Sequence, residues 1–257
     1  MKKLVELKKR LFVIVGGLVL VMILIVLLFN LQLMSVNRQR TRQNNQRNLQ
    51  MYMITVDRAM ENIEDMLIAQ DIEDVDLQNI RKPRCELDRY LSLLEKRTFF
   101  KEEIGKYRFL DGLFLFDKRD RTYIGVKSEN VSAENHTAIK NHCAELVSSY
   151  ENSDTPSEWM IAEVENEYYI FRMMNWKEIY YCAWLKPENM VADLQGEKRP
   201  EEGIYFLSDK KGTVLNQDKL LHVKKITGHK IQMEGTSYEV FSESQNGRGG
   251  LTLSYVQ

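Results

Sequence analysis

The sequence predicts an α+β protein: an N-terminal transmembrane helix, a long helix leaving the membrane, then two modules built on antiparallel sheets. Three observations predict it. Leu11 to Phe29, LFVIVGGLVLVMILIVLLF, carries no charged or strongly polar side chain. An apolar stripe at helical spacing follows, with no proline or glycine between Asn30 and Pro83. Beyond Pro83, apolar and aromatic runs alternate with turn sequences at hairpin spacing.

At 1.5 Å per residue the apolar run covers the ~30 Å hydrocarbon core of a bilayer. It is longer than the ~7–15 residues of a signal-peptide core, and NLQLMSVNRQR after it lacks a small-x-small cleavage site, so an uncleaved anchor is expected. Lys2, Lys3, Lys8, Lys9 and Arg10 precede the span, opposed only by Glu6. The positive-inside rule then places the N-terminus in the cytoplasm and the bulk of the chain outside it. Arg38, Arg40, Arg42 and Arg47 follow the span, but the upstream cluster is denser and nearer.

The stripe Leu49, Met53, Val56, Met60, Ile63 and Leu67 has spacings of 4, 3, 4, 3 and 4. That is the a/d pattern of a coiled coil, read either as a homodimer seam or as one helix packing on its own domain. Asn37 to Asn48 is a polar stalk. Asp71 to Pro83 reads as a loop, and Arg84 to Lys106 as a helix with Leu87, Leu91, Leu94 and Thr98 inward. Phe109–Phe116 and Arg121–Val126 read as a hairpin around Asp117-Lys-Arg-Asp. Ser132 is the expected N-cap of a helix to Tyr150, with Ala138, Ile139, Cys143 and Leu146 inside. A turn at Asn152 to Ser157 leads to strands at Glu158–Val164, Glu167–Met174 and Glu178–Leu185, then to a short helix opened by Pro187. Gly196 to Glu202 reads as a linker. Strands at Gly203–Ser208, Thr213–Leu215, Lys230–Met233, Tyr238–Ser242 and Leu251–Val256 then repeat the first series in shorter form. The expected division is 1–10 cytoplasmic, 11–33 transmembrane, 34–82 exit helix and loop, 83–196 a membrane-distal module, and 197–257 a shorter membrane-proximal one.

Composition narrows the function. Hydrophobic residues are 44%, charged residues 28% and the formal net charge is −1, so no nucleic-acid partner is expected. Cys85, Cys143 and Cys182 form no CxxC pair; a sparse, odd set argues against a disulfide scaffold and reads as three buried thiols. No GxGxxG, Walker A, HExxH or GxSxG string occurs. His136 and His142, like His222 and His229, are wrongly spaced for metal ligation. The acidic run from Glu61, Glu64 and Asp65 through Asp71 to Asp76 lacks a glycine-bearing calcium loop. No metal, cofactor or enzymatic activity is expected.

The order of a membrane helix, a long exit helix and two antiparallel modules resembles the double Cache sensor, a PAS-like extracellular region of bacterial receptors. FLDGLFLFDKRDRTYIG, EYYIFRMMNWKEIYYCAWL and GIYFLSDKKGTVL carry the resemblance: a strand ending in a polar residue, a tight turn, a returning strand. GGLTLSYVQ looks like the last Cache strand. The most similar receptors are Gram-positive sensor histidine kinases and membrane-bound AraC-type regulators. The resemblance implies a sensory region truncated before a second membrane helix and output domain; a stand-alone membrane-anchored binding protein is the rival. A small-molecule ligand is implied, and the aromatic stretch supplies its expected contacts: Trp159, Tyr168, Tyr169, Arg172, Trp176 and Tyr181, with Arg172 to fork onto a carboxylate. The amino-acid-binding subgroup carries Arg-x-Trp-Tyr; here the string is Arg172-Met-Met-Asn-Trp176, which does not support that ligand class.

Overall fold

A computed structural model describes residues 2–69, 75–149, 158–195, 203–216, 223, 225–226, 228–233, 236–245 and 250–256. The expected turn at 152–157, linker at 196–202 and His222 lie outside the described residues. The chain forms two compact units, 1–48 and 49–257.

The first unit is the start of helix α1, Lys2–Ala69, which runs 68 residues without a break. From Val15 to Val36 its large apolar side chains stand exposed. That is costly in water and neutral in hydrocarbon. It is the one described helix long and apolar enough to cross a membrane.

The second unit begins with the rest of α1. Leu49, Met53, Val56, Met60, Ile63 and Leu67 are 0–3% exposed, inside the main core of their own chain. The stripe offered as a dimer seam is therefore corrected: its apolar surface is consumed within the chain. Helix α2, Val75–Arg81, occupies part of the expected loop, with Leu77 and Ile80 buried at helical spacing. Helix α3, Glu86–Ile104, buries Ser92, Lys96, Phe100 and Glu103. Its expected inner face is turned outward: Leu87, Leu91 and Leu94 are 62%, 48% and 40% exposed. Cys85, at the N-cap of α3, is exposed rather than buried.

The first sheet contains β1 (Gly112–Asp117), β2 (Thr122–Lys127), β3 (Met160–Val164), β4 (Glu167–Trp176) and β5 (Ile179–Leu185), all antiparallel in the order β2-β1-β5-β4-β3. The two-residue hairpin turns Glu165-Asn166 and Lys177-Glu178 have positive φ at both positions, the type I′ geometry that matches strand twist. Helix α4, Ala133–Ser149, joins β2 to β3. The Asn135 amide donates to Ser132 Oγ at 3.0 Å, so Ser132 is its N-cap as expected. Helix α5, Pro187–Gln195, leaves the sheet.

The second sheet contains β6 (Ile204–Ser208), β7 (Lys230–Met233), β8 (Thr236–Ser244) and β9 (Thr252–Val256), in the order β6-β9-β8-β7. The expected strand at Thr213–Leu215 is reduced to two isolated bridges, Ser208 to Val214 and Thr213 to Lys225; the first of them pairs with β6. With that bridge in the place of β2, the second sheet repeats the strand order of the first. Sequence echoes it: Gly112-Leu-Phe stands at the start of β1 and Gly203-Ile-Tyr at the start of β6. A Cβ on Gly112 would sit 2.4 Å from the Trp184 indole, and one on Gly203 would sit 2.4 Å from the Tyr255 ring. In both modules a glycine lets the first strand pass beneath an aromatic of the last.

Candidate functional site

Alternation along β4 and β5 gives the first sheet two different faces. On one, Leu113, Leu115, Ile170, Tyr181, Ala183 and Leu185 join the core built on α1. On the other, Phe114, Phe116, Tyr169, Phe171, Met173, Cys182 and Trp184 pack beneath Ile139, Cys143 and Val147 of α4.

The six expected ligand contacts do not share a face. Trp159, Tyr168, Trp176 and Tyr181 pack on the α1 side, and Tyr169 on the α4 side. Tyr181 meets Phe100 edge-on at 6.2 Å. Arg172 is 5% exposed and points to α1, where Nε and Nη2 donate to Glu64 Oε1 at 3.0 and 2.6 Å. It does read a carboxylate, but one from its own chain, so the expected ligand arginine is corrected to a tie between sheet and exit helix. Nothing local in the sequence pairs residues 108 positions apart.

Open space lies instead on the α4 face, beside the β1–β2 hairpin. A cleft of about 700 Å³ is lined by Phe116, Asp117, Lys118, Arg121, Tyr123, Lys140, Asn141, Ala144, Val147 and Ser148. Phe116 and Tyr123 stack at 6.2 Å, and Lys140 Nζ lies 4.2 Å from the Tyr123 ring centre, making one aromatic wall with a cation on it. Asp117 is the one acid in the lining. Its buried carboxylate accepts Arg119 Nε at 3.2 Å and Nη2 at 3.0 Å, and Arg89 Nη2 at 3.5 Å. The Asp117 carboxylate in turn pushes the Arg119 guanidinium further up. With Asp117 answered from within, Arg121 and Lys140 put positive charge on the cleft. Sequence reading passed over it because its charges come from a turn and from mid-helix, and only folding brings them together.

The opposite end of the α4 face is closed by polar contacts. Asp111 Oδ2 accepts the Lys186 amide at 2.6 Å, and Oδ1 accepts Asn189 Nδ2 and Ser128 Oγ. Burial pushes this carboxyl up to about 6, against those hydrogen bonds. Asn135 Nδ2 and Lys186 Nζ both donate to Glu167 Oε2, at 2.9 and 3.0 Å. Beneath this end, Trp184 Nε1 and His136 Nε2 are buried without a hydrogen-bond partner. Desolvation, then Lys127 and Lys140, lower the His136 pKa. Among the described residues no group of three or more His, Cys, Asp or Glu is placed to hold a metal ion.

Comparison with solved structures identifies the class of fold. The extracellular domain of vpHK1S-Z8, assigned as a histidine kinase, superposes with a TM-score of 0.53 at 9% identity, covering 85% of this chain and 91% of that one. A domain of a Vibrio parahaemolyticus protein assigned to the sensory box/GGDEF family superposes at 0.51 with 9% identity, covering 85% and 95%. The ligand-binding domain of the Pseudomonas aeruginosa amino acid chemoreceptor PctC, solved with GABA, gives 0.47 at 13% identity, covering 84% and 98%. The chain shares its α+β fold with the first two of these domains. No family model and no curated protein matches the sequence.

Proposed function

We propose that the chain is the extracytoplasmic ligand-sensing region of a bacterial transmembrane receptor, of the sensor histidine kinase type, and that the cleft between α4 and the β1–β2 hairpin receives a small organic anion. The observation that carries this is the cleft itself: Arg121, Lys140 and an aromatic wall around an acid neutralised from within. Its volume is in the usual range for small-molecule sites, ~300–1,000 Å³. Lysine and arginine donors favour a carboxylate, and Phe116 and Tyr123 offer flat apolar area to the rest of the ligand.

Signal transfer follows from the two faces of one sheet. A ligand that draws α4 toward the hairpin bears on β1 and β5, and β4 passes the change to α1 through Arg172 and Glu64. The ligand shifts that equilibrium only by its differential affinity for the two states. A homodimer is part of this reading, with its contact on the exposed stripe Leu87, Tyr90, Leu91 and Leu94 of α3 instead of the buried stripe of α1. The reading frame beyond Gln257 separates a kinase from an AraC-type regulator or a stand-alone binding protein.

The test is a thermal-shift panel of carboxylates, amines and neutral metabolites on the full chain in detergent. Carboxylates are expected to raise Tm, and the Arg121→Ala/Lys140→Ala chain is expected to lose the shift. Shifts only from amines or neutral compounds, or shifts unchanged in the double variant, would reject the cleft.

A further inference from the structure

The middle of the α4 face holds a pair of groups that neither the cleft nor the contact with α1 uses. Cys143 on α4 and Cys182 on β5 lie with their sulfurs 3.4 Å apart, both at 0% exposure and 39 residues apart in sequence. Ile139, Val147, Phe171 and Met173 share the same core. A disulfide has an S–S distance of ~2.04 Å, so closing this one asks for little more than an ångström of sulfur movement. We propose that Cys143 and Cys182 form a disulfide in the folded protein, fixing α4 to the central strand β5. The odd cysteine count is then a pair plus one spare, since Cys85 is exposed at the start of α3.

The oxidant is a small-molecule disulfide. The thiolate of one cysteine attacks it, forms a mixed disulfide and releases one small thiolate. The second cysteine attacks the protein sulfur of that mixed disulfide, forms the internal bond and releases the second small thiolate. The protein loses two electrons and two thiol protons, and both protons end on the two small thiols. Burial raises the Cys143 thiol well above its ordinary pKa, so exchange is slow once α4 has docked and the finished bond is shielded. Cys143 lies between Asn141 and Ala144, which line the cleft, so the bond also sets how far α4 stands from the sheet. That last consequence, and the presence of oxidant in the cell, rest on the reading proposed above; the bond does not.

The experiment compares two samples of the full chain, one trapped with acid and maleimide directly from cell membranes, one purified reduced, unfolded and then refolded with glutathione disulfide. Peptide mapping is expected to find Cys143 joined to Cys182 in both, with reduction lowering Tm by on the order of 10 °C. The Cys182→Ala chain supplies the unlinked reference, with its Cys143 alkylated. A pair joined only in the oxidised sample leaves the disulfide standing and counts against an extracytoplasmic module. Two separately alkylated cysteines in both samples overturn the proposal.

Discussion

The two faces of the first sheet use the same strands and differ in what covers them. The face toward α1 is closed by aliphatic and aromatic packing, and one charged pair, Glu64 with Arg172, crosses it. The face toward α4 is rich in aromatics, leaves polar atoms unpartnered, brings two thiols together and opens into a cationic cleft. Adjacent residues of one strand therefore differ in task. Arg172 holds the exit helix while Phe171 and Met173 support the helix above the cleft. The sensing function proposed above needs both, a side that can yield to a ligand and a side that follows it.

The largest expected effect is at the crossing pair. Glu64→Ala leaves the Arg172 guanidinium buried without its main carboxylate, and should cost about 3–5 kcal/mol in denaturant titrations. A cost under ~1 kcal/mol would mean the two elements are not tied there. Next is the closed end of the α4 face. The Asp111 pKa is raised by burial to about 6 from an unfolded value near 3.8. The folded protein therefore holds that proton to higher pH, and this group's contribution makes stability fall as pH rises from about 4 to about 6, then level off. The Asp111→Asn chain should lack that fall, worth up to ~3 kcal/mol at ~1.4 per pKa unit. An identical pH slope in both proteins would contradict the burial account. Gly112→Ala places a methyl against the Trp184 indole and should destabilise by about 1–3 kcal/mol. Smallest in stability are the cleft residues: Arg121→Ala and Lys140→Ala should stay within about 0.5 kcal/mol of the parent while losing at least ~10-fold in affinity for any carboxylate that binds.

Much of this architecture is legible in the sequence, and the gaps have physical reasons. Apolar length marks α1, short hairpin connections between apolar runs mark β4 and β5, and Ser132 marks α4 because an N-cap is local chemistry. The leucines of α3 mislead because periodicity shows that a helix has an apolar side, not which side the fold covers; Phe100 and the stem of Lys96 take the inner face. The stripe of α1 satisfies a dimer and a monomer equally, and the second unit resolves it by burying all six residues. Arg172 was legible as a carboxylate reader, but its partner stands 108 residues earlier. The cleft was illegible because Lys118, Arg121 and Lys140 are ordinary surface charges until α4 crosses the hairpin.

A cleft that reads the outside must stand outside. Cys85 is the exposed thiol, set at the start of α3 and clear of both buried cysteines. A membrane-impermeant maleimide added to intact cells expressing the full chain is expected to label Cys85 before any permeabilisation. Labelling that appears only after the membrane is opened would contradict the receptor account.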